Sequence, residues 1–157
     1  MPKEMLVYAC GPIGGLSYDE ASDWREELRV ILAARCPAAI VLSPLRGREE
    51  LRKIEKLQVR TGGYLTGKPI CTPRGAALRD ELDVRRSDII FANFLGAKQI
   101  SIGSVAEIGM ARALGKVTII LMEADNIHRH FLLEEWSGYV VASWEEGVEL
   151  LVQLINV

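Results

Sequence analysis

The chain has 157 residues, 49% hydrophobic and 25% charged, the make-up of one ordinary globular domain spanning 1–157. A net charge of -2 lacks the basic excess that a phosphate backbone demands, which argues against nucleic acid as a partner, and no apolar run approaches the roughly 18 residues of a membrane span. The three cysteines, Cys10, Cys36 and Cys71, have neither CxxC spacing nor the density of a disulfide scaffold, and no signal-peptide cleavage region precedes the first strand pattern, so a reduced, cytoplasmic setting is expected.

Met5 to Cys10 reads as a short buried strand ending in Gly11-Pro12. Ser17 with Glu20 three residues on is a capping box. Ala21, Trp24, Leu28, Ile31 and Leu32 then fall at helical spacing, which predicts a helix of about five turns that stops before Pro37. Further strands are expected at Ala38 to Leu42, Asp88 to Phe94, Val117 to Met122 and Tyr139 to Ala142. Helical segments separate most of them, the last starting at Ser143 and Glu146 and running through Val148, Leu151 and Leu154. Strands that are apolar on both faces and alternate with helices point to an α/β domain with a doubly wound, five-stranded parallel sheet of the flavodoxin or Rossmann kind.

The stretch from Pro44 to Pro73 interrupts this rhythm. Arg46 to Arg60 carries six basic and three acidic residues, and Thr61 to Gly67 is rich in Gly and Thr. A solvated helix with Glu49 and Lys53 paired one turn apart, followed by a loop, is the plain expectation; a lid over a site is the functional one.

Three segments carry candidate chemistry. In Tyr8 to Gly15, glycines that follow a strand and precede a helix let backbone N–H groups approach an anion, although the GxGxxG spacing of dinucleotide sites is missing. Arg79 to Asp88 is a charged helix leading into a strand, with Asp80 two turns upstream and Asp88 anchoring the strand's start. Ser101 to Ala111 brings hydroxyls, the bare backbone of Gly103 and the carboxylate of Glu107 to a helix start. Glu107 has a structural alternative, since Ser104 with Glu107 is itself the pattern of a capping box.

Taken in order, YxxGPIxG, RDxxDVxxSD and SxGSxxEIGMA resemble the nucleoside 2-deoxyribosyltransferase superfamily, with NxHxH at Asn126 to His130 similar to phage and bacterial members. The resemblance implies a five-stranded parallel sheet and no cofactor. It implies that Glu107 attacks C1' of the sugar, that Tyr8 orients Glu107, and that Asp80 serves the leaving base. Among family members, a serine at the position of Ser101 goes with nucleoside 5'-monophosphate hydrolysis and an aspartate with free nucleosides. Ser101 therefore implies a monophosphate, with Gly11, Pro12, Ile13, Gly14 and Gly103 around it and water as an alternative acceptor to a second base. It further implies a homodimer or larger homo-oligomer in which Asn126 or His130 touches the substrate of a neighbouring subunit. His128 and His130 also invite a metal reading, but no further ligands stand at metal-site spacing and glycosyl transfer needs no metal, so none is expected. Trp136, Trp144 and Phe131 are expected in the core or an interface. Two rivals remain open: a phosphoribohydrolase of the lysine-decarboxylase-like type, whose PGGxGT form is absent here, and a nucleotide sensor that binds without cutting.

Overall fold

The computed structural model describes residues 3–58 and 68–157; the Thr61 to Gly67 stretch, with Tyr64, lies outside the described residues. Strands Met5–Cys10 (β1), Ala39–Leu42 (β2), Ile89–Asn93 (β3), Val117–Leu121 (β4) and Tyr139–Val141 (β5) form one parallel sheet in the order β2-β1-β3-β4-β5. This is the doubly wound arrangement the sequence predicts. Several strands are one residue shorter at an end than expected, because the flanking residues keep only part of the ladder. Phe94 N still donates to Leu121 O (2.8 Å) and Met122 N to Val141 O (2.9 Å). Asp88 anchors β1 from outside β3, its Oδ2 accepting from Leu6 N at 2.9 Å.

The sheet is buried on both faces because alternate strand residues feed two separate cores. Tyr8, Cys10, Ile90 and Ala92 point to the side covered by helices Pro73–Arg86 (α2), Ile102–Ala113 (α3) and Phe131–Trp136 (α4). Val7, Ile89, Phe91 and Ile119 point to the side covered by Tyr18–Arg35 (α1) and Trp144–Asn156 (α5). The capping box of α1 is formed, with Glu20 N on Ser17 Oγ at 3.1 Å and Ser17 N on Glu20 Oε2 at 2.8 Å. Trp144 packs edge-on to Trp24 and Phe91 in that second core. Phe131 and Trp136 lie outside the core, 65% and 39% exposed.

The excursion after β2 is not a solvated helix. Glu49–Lys53 forms a short 3-10 turn, and Leu45, Leu51 and Leu57 are buried with Tyr18 and Ala21 in a third core. Three residues per turn put Glu49 and Lys53 on different faces, and the ion pair formed from this turn is Arg52 with Asp19 at 3.0 Å. Gly15 N donates to Leu57 O and Leu57 N to Leu16 O, both at 2.8 Å, which straps the excursion to the glycine-rich loop after β1.

In this topology α1 leaves β1 toward one face and α3 follows β3 on the other. The connections leaving β1 and β3 therefore diverge, and the crevice outside the carboxyl ends of these two strands is where such sheets bind ligands.

Candidate active site

A cavity of about 240 Å³ occupies that crevice. Gly11, Pro12, Ile13 and Gly14 form one wall; Ser101, Ile102, Gly103, Ser104 and Glu107 of the α3 start form the opposite one. Asp80 from α2 and Pro44, Leu45 and Arg48 from the excursion close the end. Gly11 is required by close approach: a Cβ there would lie 2.8 Å from Asn93 O and 3.0 Å from Trp24 Cζ2, so any side chain would push the β1 and β3 ends apart.

Glu107 sits one turn into α3, facing β1. The helix begins at Ile102 with Ser101 as its N-cap, so Ser104 lies inside the helix and the capping-box alternative for Glu107 is overturned. Glu107 is held by the strand instead. Tyr8 Oη donates to Oε1 at 2.8 Å and Cys10 Sγ donates to Oε2 at 3.1 Å. Tyr8 and Cys10 share one face of β1 because they are two residues apart. Behind them Arg25 is 2% exposed, its guanidinium bonded to Ala9 O (2.9 Å), Gly11 O (3.0 Å) and Ala21 O. Burial pushes the Glu107 carboxyl above the usual range, while the thiol, the phenol and the Arg25 charge draw it back. Burial and the Glu107 charge raise the phenol of Tyr8 and the thiol of Cys10 well above their ordinary values, so both remain donors.

Asp80 shares the cavity with Glu107 but has the opposite surroundings. Its Oδ1 is buried and has no hydrogen-bond partner. Burial first, and the charge of Glu107 second, push its carboxyl up to about 7, against the opposing pull of Arg79 and Arg48. The acidic residue one turn on, Asp83, is neutralised by Arg46 (2.5 and 2.9 Å) and Arg86 (2.7 Å).

The α3 N-terminus is built around Ser101. Its hydroxyl makes no cap bond and turns to Ser104 Oγ at 2.9 Å. The first-turn amides of Ile102, Gly103 and Ser104 are therefore left without a side-chain cap at the cavity wall. Ser101 N donates to His128 Nε2 at 2.8 Å. His128 Nδ1 meets Asn126 Oδ1 at 3.1 Å, an arrangement that fits an imidazole with its proton on Nδ1. The ring stacks on Phe94 with centroids 4.0 Å apart, and burial lowers its pKa, so it stays neutral. Asn126 is buried, its amide donating to Phe94 O (2.7 Å) and Glu123 Oε2 (2.5 Å). The structure thus makes Asn126 a loop support rather than a wall of its own cavity. His130 also lies away from that cavity, exposed, with Nδ1 accepting from Leu132 N at 3.2 Å to cap α4.

The profile of the nucleoside 2-deoxyribosyltransferase family matches residues 7–151. The chain belongs to that family. Among solved structures it is similar to the 2-deoxyribosyltransferase of the psychrotolerant bacterium Bacillus psychrosaccharolyticus, at 14% identity over 90% of this chain and 88% of that one, TM-score 0.63. It is also similar to the CMP N-glycosidase BcmB of Clostridium botulinum, at 17% identity over 95% of this chain and 98% of that one, TM-score 0.56. At these identities the structural likeness carries the fold. No curated protein matches the chain in sequence.

In and behind the walls of this cavity, four residues stand out that sequence reasoning did not single out for these places: Arg48 lines it, and Cys10, Arg25 and His128 hold residues that do. Cys10 was readable from its two-residue spacing to Tyr8, and Arg25 from its place four residues after Ala21 on the buried face of α1. Arg48 and His128 arrive from a 3-10 turn and a loop, where no period signals direction.

Proposed function

We propose that this protein cleaves the N-glycosidic bond of a 2'-deoxynucleoside 5'-monophosphate through a glutamyl-sugar intermediate. One observation carries the reading: two carboxyl groups share one cavity, Glu107 held by two donors and Asp80 with its buried Oδ1 held by none among the described residues. That contrast favours an ionised Glu107 and a protonated Asp80 near neutral pH. The Glu107 carboxylate attacks C1', the C1'–N bond breaks with its electron pair passing to the base, and Asp80 delivers a proton to a base nitrogen. Water or a second base then attacks the ester as the Asp80 carboxylate takes the released proton, so configuration is retained.

The uncapped start of α3, with Ser101 and Gly103, favours a phosphate there, since a helix N-terminus and a hydroxyl donate to an anion where a carboxylate would repel it. Gly11, Ile13 and Gly14 line the same cavity, and in this reading their backbone lends further donors. A second copy of the chain, bringing His130 to this end, completes the reading, and exposed Ile127 and Phe131 on either side of His130 suit such an interface.

The test is chromatography of deoxynucleosides and their 5'-monophosphates after incubation, each with and without a second free base. Free base from monophosphates supports the hydrolase reading, a new nucleoside supports transfer, and no release from any substrate refutes both. Glu107→Ala should abolish release. Ser101→Asp should lower kcat/KM for a monophosphate far more than for the free nucleoside, and equal losses refute the phosphate role.

A further inference from the structure

Arg48 is the one cation among the described residues lining the cavity, and it is only 5% exposed. A buried guanidinium normally has its donors satisfied. Here one Nη2 donor goes to Ile70 O at 3.0 Å, while the buried Nε–H has no partner. On the same wall, Asp80 Oδ1 is buried and unpartnered. The two groups lie close enough for the Arg48 charge to act on the Asp80 carboxyl, yet they form no ion pair with each other. Of their neighbours, Arg46 grips Asp83 at 2.5 Å, while Arg79, bonded to Pro44 O and with its own Nε unpartnered, does not line the cavity. On the residues that line the cavity, what is left is an unused N–H donor on Arg48 and an unused carboxyl oxygen on Asp80.

We propose that Arg48 and Asp80 together read the edge of the leaving base, selecting bases that present a carbonyl oxygen beside a bare ring nitrogen, such as a 6-oxopurine through O6 and N7 or cytosine through O2 and N3. Arg48 donates to the carbonyl oxygen; the Asp80 carboxyl donates to the ring nitrogen, which is the same proton the cleavage step needs. A phosphate fits this pair poorly, because the Asp80 carboxyl would face it. Adenine places an amino donor against the Arg48 N–H, so two donors meet and neither is satisfied. A site built to hydrogen-bond one group discriminates strongly against an analogue that cannot bond there.

The inference rests on the glycosyl reading of the cavity, and its test separates the two. Base release from the 5'-monophosphates of 2'-deoxyinosine and 2'-deoxyadenosine, which differ at a single ring substituent, is measured with the natural protein and with Arg48→Met. The natural protein should favour the oxo substrate by about 10- to 100-fold in kcat/KM. Arg48→Met should lose most of that preference through the oxo substrate, with the adenine substrate changing less than about threefold. Preference for adenine by the natural protein overturns the proposal whether or not the variant folds. So does an equal loss on both substrates, or a loss that follows the 5'-phosphate rather than the base. Where no substrate releases base, the cleavage reading fails by itself, and equilibrium dialysis of free hypoxanthine against adenine decides the base reading. Retention of hypoxanthine that Arg48→Met abolishes upholds it; equal binding of the two bases refutes it.

Discussion

Asp80→Asn isolates the proposed proton donor. An ordinary aspartic acid is protonated in about one molecule in a thousand at pH 7. With its carboxyl pushed up to about 7 by burial and the Glu107 charge, Asp80 is protonated in about half. The cavity therefore supplies nearly all of the acid available at neutral pH, and asparagine, isosteric but without a transferable proton, removes it. General acid catalysis contributes about 10²- to 10⁴-fold, so kcat for a natural base should fall by that factor. A substrate whose base leaves readily as an anion should lose much less. The basic limb of the pH–rate profile, where activity falls as pH rises through about 7, should vanish. Stability gives an independent reading. A carboxyl whose folded pKa lies above its unfolded value contributes stability that is present below the unfolded pKa and lost as pH rises through the folded one. From about pH 4 to pH 7 the natural protein should thus lose stability that Asp80→Asn does not, and the variant's advantage in Tm should grow over that window. A variant within about threefold of the natural kcat, or one that keeps its basic limb near pH 7, refutes the assignment.

Tyr8→Phe removes the 2.8 Å donor to Glu107. A hydrogen bond to a charged group is worth about 1.5–3 kcal/mol, so kcat should fall about 10- to 150-fold, and the acid limb should move to higher pH because a bond that favours the carboxylate is lost. Unchanged position of that limb in a stopped assay across pH 4–8 would count against an orienting role. Cys10→Ala should cost less, the thiol being a weak donor, and Cys10→Ser should recover the loss; identical rates for Ala and Ser variants would make Cys10 a packing residue. Arg25→Met strands the carbonyls of Ala9, Gly11 and Ala21 in a buried place and should lower unfolding stability by about 3 kcal/mol or more in urea titration. A loss under about 1 kcal/mol would show that those carbonyls find other donors.

The sheet was legible in the sequence because each strand is a short apolar run between turn signals, and Ser17 with Glu20 marked the first helix by the bond pair it forms. Where the chain abandons a period, legibility ends. Leu45, Leu51 and Leu57 are six residues apart with Gly47, Glu49, Lys53 and Glu55 at the alternate positions between them, so neither a helical stripe nor a strand alternation marks them, and they come together only through the fold. The charges around them suggested a solvated helix, and the third core overrides that. Ser104 with Glu107 shows a different limit: two residues satisfied a capping pattern whose geometry starts three residues earlier, at Ser101. The pattern is local, whereas the partners of Glu107 lie 99 and 97 residues away on β1. Asn126 and His128 illustrate the same point, since their bonds to Phe94 O and Ser101 N run between loops that only the β3 and β4 pairing brings together.

The division of labour between the two carboxyls follows from which strand or helix faces each. Two acids in one low-dielectric cavity do not ionise independently; the first charge raises the other's pKa, so the pair holds one proton over a window of pH. Where that proton resides depends on the donors each acid meets. Glu107 faces β1, which presents a phenol, a thiol and, behind them, the Arg25 charge. Asp80 faces the cavity from α2 with Oδ1 unsatisfied, and the cations beside it are either turned to backbone carbonyls or spent on Asp83. On the proposed reading the proton settles on Asp80 for that reason. A carboxylate at Glu107 beside a carboxylic acid at Asp80 is the pair that the proposed cleavage needs near neutral pH. The arrangement costs stability, since one carboxyl is buried without a partner, and that unmet bond is what a base nitrogen in the cavity can fill.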